Sequence, residues 1–193
     1  MKKLVILLVL AMIVAGGIFA QDQTEGNSKT TPSNSGTYKI GDFGPAGGII
    51  FYDKGVYSNN WRYLEAAPAE TEFTAKWGGR GTDVPGTSTA IASGKRNTEI
   101  ITGQLGISSA AGLCSRLDFD GFTDWFLPSR DELDLMYKNL KYNGSANFSK
   151  SWYWTSSQGI SSLFAWKQSF SGGKQGGSFD KNATGSVRAV RAF

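Results

Sequence analysis

The chain has 193 residues, a net charge of +4, a single Cys and no His. Without His the commonest general base, proton shuttle and metal ligand is missing, so neither a Ser–His triad nor a Cys–His dyad can be assembled. One Cys excludes an intramolecular disulfide and leaves a zinc site short of its usual ligands, and the charge surplus is too small and dispersed to point to nucleic acid.

Residues 1–20 are expected to be a signal peptide. Met1-Lys2-Lys3 supplies the positive start, Leu4 to Val14 an unbroken apolar run, and Ile18-Phe19-Ala20 a cleavage site before the polar Gln21. The competing reading is a retained anchor, but the apolar stretch is at the lower edge of a spanning length and carries the Gly16-Gly17 pair. The only Cys, Cys114, is far from the cleavage site, so no lipoprotein and no membrane insertion after cleavage are expected. The address is extracytoplasmic: periplasm, cell surface or medium. Residues 21–37 carry no large apolar side chain and read as a flexible polar spacer, which leaves 38–193 as one domain.

Within that domain, Gly47 to Tyr52 (GGIIFY) is a β-branched and aromatic strand between Pro45 and a turn at Asp53-Lys54-Gly55. Trp61 to Ala66 is its partner across Asn59-Asn60. Lys95 to Leu105 spaces Thr98, Ile101 and Leu105 along one helical stripe and stops at Gly106. Ser109 to Leu117 repeats the pattern with Ala110, Leu113, Cys114 and Leu117, which makes Cys114 an inert core thiol. After Pro128, Ser129 and Glu132 form a capping box ahead of Leu133, Met136, Tyr137 and Leu140. The final fifty residues change to strands: Trp152–Ser156, Leu163–Phe170, Gly177–Phe179 and Val187–Phe193, with Gly- and Ser-rich turns at 157–162, 171–173 and 182–185. In the second of these, Phe164, Trp166, Gln168 and Phe170 share a buried face, while Lys167 and Ser169 are expected to face solvent. The closing strand is apolar and is expected to pair with GGIIFY. The fold class is α+β: two or three helices packed on short antiparallel sheets, with the N- and C-terminal strands paired.

Chemical motifs are sparse. Gly78-Gly79-Arg80-Gly81 and Gly94-Lys95-Arg96 lack the spacing of a dinucleotide or phosphate loop and read as turns. Asp118, Asp120 and Asp124 around Gly121 are faintly calcium-like, but the ligand order is wrong and a tight turn is the better reading. Trp125, Trp152, Trp154 and Trp166 could stack on a sugar; most such rings fill cores instead. Asn143, Asn147 and Asn182 each begin an N-x-Ser/Thr sequon. No cofactor and no metal are expected.

Taken in order, GGIIFY, Leu64-Glu65-Ala66-Ala67-Pro68, Gly121 to Ser129 (GFTDWFLPS), Tyr153-Trp154-Thr155-Ser156-Ser157 and Val187 to Phe193 (VRAVRAF) resemble the bacterial domain family named after the C-terminal domain of a collagen-like adhesin. The resemblance covers 38–193. It implies a C-type-lectin-like fold, in the branch shared with formylglycine-generating enzymes and with variable proteins diversified by retroelements. It also implies an adhesin-like recognition module, not an enzyme, that meets a protein or glycan ligand with its C-terminal sheet and loops. In the diversified relatives the varied positions correspond to the segment from about 157 to 182, so the contact residues implied here are Gln158, Ser161, Ser162, Lys167, Ser169, Lys174 and Asp180. The chain departs from the sugar-binding lectins, whose Glu-Pro-Asn, Gln-Pro-Asp and Trp-Asn-Asp calcium motifs are missing. One Cys likewise cannot form the copper-binding pair of the formylglycine-generating enzymes. A structural role in an envelope or periplasmic assembly is the alternative, and a formylglycine-generating activity is the remotest.

Overall fold

The computed structural model describes residues 37–144 and 146–193. The expected signal peptide and, apart from Thr37, the polar spacer lie outside the described residues.

The strands form two sheets, and the three helices lie in sequence between the third and fourth strands. Strand β1 (Ile49–Ser58) and β2 (Trp61–Ala66) form a hairpin, and β8 (Val190–Ala192) adds to β2, so the first sheet has the order β1-β2-β8. The hairpin closes because Asn59 and Asn60 both adopt positive φ (50° and 62°), the conformation a two-residue turn needs and Asn tolerates. The second sheet has the order β3-β7-β4-β5-β6, from β3 (Phe73–Lys76), β4 (Trp152–Gln158), β5 (Phe164–Ser169), β6 (Gln175–Asp180) and β7 (Thr184–Val187). All pairings in it are antiparallel except β4 with β7. The α+β class is as the sequence implies.

Three details differ from expectation. First, β1 runs through Asp53-Lys54-Gly55: a bulge with Gly55 at φ 86° absorbs the turn residues, and Asp53 is held by a two-pronged pair with Arg62 (2.7 and 2.9 Å). Second, the closing run is not one strand. Val187 belongs to the second sheet and Val190 to the first, and the chain crosses over at Arg188-Ala189. Third, the terminal strands share a sheet through β2, which lies between β1 and β8, so GGIIFY does not itself pair with the final strand. The four-residue β3 has no turn signal of its own and was not legible.

Helix α1 (Gly94–Leu105) ends at Gly106, φ 77°, whose N–H donates to the Thr102 carbonyl. Helix α2 (Ala110–Ser115) is shorter than its periodicity suggests and is capped by Ser109. Helix α3 (Arg130–Met136) carries the expected capping box and widens into a π turn over Tyr137–Lys141. One core gathers Trp77, Ile101, Ala110, Cys114, Leu127, Trp154 and Val187; the other gathers Phe51, Leu64, Phe126, Leu133, Met136, Tyr153, Phe170 and Val190. The second holds the first sheet against α3.

Candidate functional site

That end of the sheet is built by three chain segments. The stretch after β3, residues 77–84, is anchored by Trp77, fully buried, whose indole N–H donates to the Thr155 carbonyl at 2.8 Å. The β4–β5 turn, 159–163, lies beside it: Gly81 N–H donates to the Ser162 carbonyl (3.1 Å) and Ile160 N–H to the Gly177 carbonyl (3.1 Å). The β6–β7 turn, 181–183, completes the group, with Gly78 N–H donating to the Lys181 carbonyl (3.2 Å) and Lys181 N–H to that of Leu163 (3.0 Å). Gly159 is required by proximity, since a Cβ there would sit 2.0 Å from the Gly177 carbonyl oxygen.

Side chains then lock the segments together. The Gln158 side-chain carbonyl accepts from Val84 N–H (2.8 Å), and its amide donates to the Asp83 carboxylate (2.6 Å). Lys181 donates from Nζ to both the Thr82 carbonyl and Gln158 Oε1, at 2.9 Å each, with its ammonium 4.4 Å from the Trp77 ring centroid. Arg80 pairs with Asp180 at 2.8 Å on the surface. The result is a braced face whose outermost apolar group is Ile160, 76% exposed.

Of the residues expected to make contacts, Gln158, Ser161, Ser162 and Asp180 come together here. Gln158 spends its amide on contacts within the face, Asp180 spends its carboxylate on the surface pair with Arg80, and Ser161 is exposed. Lys174 is exposed but lies in the hairpin turn at the opposite end of β5 and β6, where its carbonyl accepts from Ser169 N–H (2.9 Å). Lys167 and Ser169 are corrected: both are buried. Lys167 is 4% exposed, paired across the sheet with Trp154, and its ammonium stands 3.8 Å from that ring centroid and 2.9 Å from the Thr184 carbonyl oxygen. Room for it exists because position 185 is Gly; a Cβ there would lie 2.8 Å from Lys167 Nζ. Gln168 and Phe170 are buried as the alternation predicts, but the opposite face is buried too, so β5 is packed on both sides from Lys167 onward. Ala165 and Lys167 point into the first core, and Trp166 stays half-exposed under the Arg130 guanidinium at 5.0 Å.

The remaining aromatic rings divide. Trp125 and Trp154 are core, whereas Trp152 is half-buried against Phe179, ring centroids 4.6 Å apart. Asp124 is engaged by Arg191 at 2.8 and 3.1 Å, and Phe119 and Phe122 exchange backbone hydrogen bonds around Asp120-Gly121, so this stretch is the tight turn. Among the described residues no group of three His, Cys, Asp or Glu is placed to hold a metal ion. Burial pushes the Cys114 thiol far above its ordinary value. Two further clefts lie away from the braced face. One, about 350 Å³, is lined by Trp61, Lys95, Arg96 and Phe126; the other, about 330 Å³, by Phe43, Leu140, Phe148 and Arg188. Sequence reasoning missed Arg80, Asp83 and Lys181. The glycine run at 78–81 was the available signal, since it marks a close approach of backbones.

Fold and site together define an α+β domain that carries an internally bonded loop face at one end of its larger sheet. The family model described as Lcl C-terminal domain matches residues 69–191, and the chain belongs to that family. No curated protein matches it. Among the described residues no helix is long and apolar enough to cross a membrane.

Proposed function

We propose that this protein is an exported, adhesin-like recognition module, C-type-lectin-like in fold, that binds a protein or glycan ligand through the loop end of its C-terminal sheet. The observation that carries the reading is the braced face itself. Segments far apart in sequence, 77–84 and 158–163, are tied by hydrogen bonds into a surface preformed for contact, with the aliphatic Ile160 outermost and Ser161 beside it. Preformed contact surfaces bind well because little ordering is left to do on association. The strongly shifted titratable groups do not suggest chemistry. Lys167, Lys181 and Glu132 are buried and already hydrogen-bonded within the fold. Catalysis is therefore no part of the proposal.

The test is binding of the purified protein to an array of glycans and to a panel of extracellular matrix and surface proteins, repeated with Ile160→Asp. Retention on at least one ligand, weakened tenfold or more by the variant, is the expected result. Equal binding by both proteins would sink the assignment of this face. Export is checked by fractionation and by N-terminal sequencing, which should begin at Gln21.

A role in an envelope assembly is favoured by one separate feature. Strand β6 is the edge of the five-stranded order, with β5 as its one strand neighbour among the described residues and neither Lys nor Pro along Gln175–Asp180, which leaves an edge where a partner strand could add. Cross-linking in intact cells that traps the same partner at β6 under every growth condition would support this second reading.

A further inference from the structure

Lys181 is 0% exposed, yet among the described residues no carboxylate is hydrogen-bonded to its ammonium. Its two acceptors are neutral: the Thr82 carbonyl and the Gln158 side-chain carbonyl. The Trp77 ring lies alongside, the Arg80–Asp180 pair occupies the neighbouring surface, and the nearby Asp83 carboxylate acts on it only at a distance. Burial lowers its pKa to about 8 against the opposing pull of Asp83, which marks a charge held at a cost to the folded state. An apolar side chain of similar length would fill the same space without that cost. It could not donate to two loops at once.

We propose that Lys181 is a positioning residue for the binding face, whose amine cross-braces residues 79–83 to residues 158–163 and sets their relative placement at the expense of overall stability. The arrangement follows from the chain path. Lys181 leaves β6 at the point where its backbone already bonds both neighbours, through Gly78 N–H and the Leu163 carbonyl, so its side chain starts between the two segments. Gln158 is the other half of the brace: its one carbonyl oxygen receives Lys181 Nζ and Val84 N–H together. The consequence for recognition rests on the reading of this face as the binding surface; the brace itself does not.

A structural role and a positioning role predict different results for Lys181→Met in the full chain. Amide hydrogen exchange should accelerate at least tenfold across Gly79–Asp83 and Gly159–Leu163, while Tyr153 to Thr155 in β4 keep their protection. The urea midpoint should be equal to that of the parent or higher, because a buried charge has been removed. Uniform acceleration with a lowered midpoint would make Lys181 an ordinary core residue and overturn the proposal, as would unchanged exchange in the two loops. Should Lys181→Met fail to fold, Gln158→Asn decides, since it shortens the acceptor beyond reach and leaves the amine in place. The same two segments should then loosen, and continued protection would overturn the brace. No ligand enters the measurement, so its failure is separate from a failure to find ligand binding.

Discussion

Lys167 and Lys181 give the fold a pH signature whose sign follows from their burial. Each amine is pushed from its ordinary 10.5 to about 8, by burial first in both cases. Between those values the unfolded chain still holds protons that the folded chain has released, so stability rises with pH across the window. Tyr153 acts the other way. Burial and its bond to the Glu72 carboxylate push its phenol well above the ordinary 10.0, so the unfolded chain ionises first and stability falls at higher pH. The Cys114 thiol, which burial holds above its ordinary 9.0, joins Tyr153 in opposing the rise from about pH 9, so the urea midpoint is expected to climb between pH 7.5 and 9, and Lys167→Met should flatten much of that climb. A parent profile without the rise would mean these amines bind protons as freely as in water. At the same scale, Gly159→Ala forces a Cβ against the Gly177 carbonyl and should cost about 2 kcal/mol, read from denaturant unfolding.

Among the elements, α3 shows how a local signal acquires a second use. Ser129 Oγ accepts from Glu132 N–H and the Glu132 carboxyl accepts from Ser129 N–H (2.7 Å), as the sequence spacing requires. The other oxygen of Glu132 reaches across to Ala92 N–H at 2.8 Å and Gly94 N–H at 3.4 Å, mooring the entry of α1 and holding Ala92 at φ 70°. Burial outweighs these bonds and raises the Glu132 pKa to about 7. The stability it contributes is thus present below its ordinary 4.5 and lost as pH rises through 7. Glu132→Ala leaves buried N–H donors at two helix starts without an acceptor and should cost about 3 kcal/mol. Thermal unfolding at pH 6 measures this, and a change below about 0.5 kcal/mol, the scale of an ordinary surface substitution, would refute it. Strand β5 shows the limit of such signals. Its alternation was plain in the sequence, but the alternation did not show that both faces would be packed, with Lys167 turned inward into the space that Gly185 of β7 leaves.

Across the whole molecule, the last residues close the fold. Strand β8 completes the first sheet on β2, Val190 exchanges backbone bonds with Phe126, and Arg191 joins the fully buried Glu65 to Asp124. Glu65 in turn accepts from Ala46 and Gly48 N–H groups, so one carboxylate connects both ends of the domain. Removing residues 190–193 is expected to abolish cooperative unfolding, while Arg191→Met should cost about 3 kcal/mol by stranding a buried carboxylate. Calorimetry of the two variants would distinguish them: no transition for the first, a lowered one for the second. The sequence by itself determined the α+β class, the capping box of α3, the Asn59-Asn60 hairpin and the core position of Cys114, because each is written in residues within a few positions of one another. Only the tertiary structure decided that the closing run divides between two sheets, that Lys167 turns inward, and that Arg80, Asp83, Gln158 and Lys181 form one braced face. Those outcomes depend on which backbones approach closely enough to share a donor, and that distance is set by packing between segments far apart along the chain.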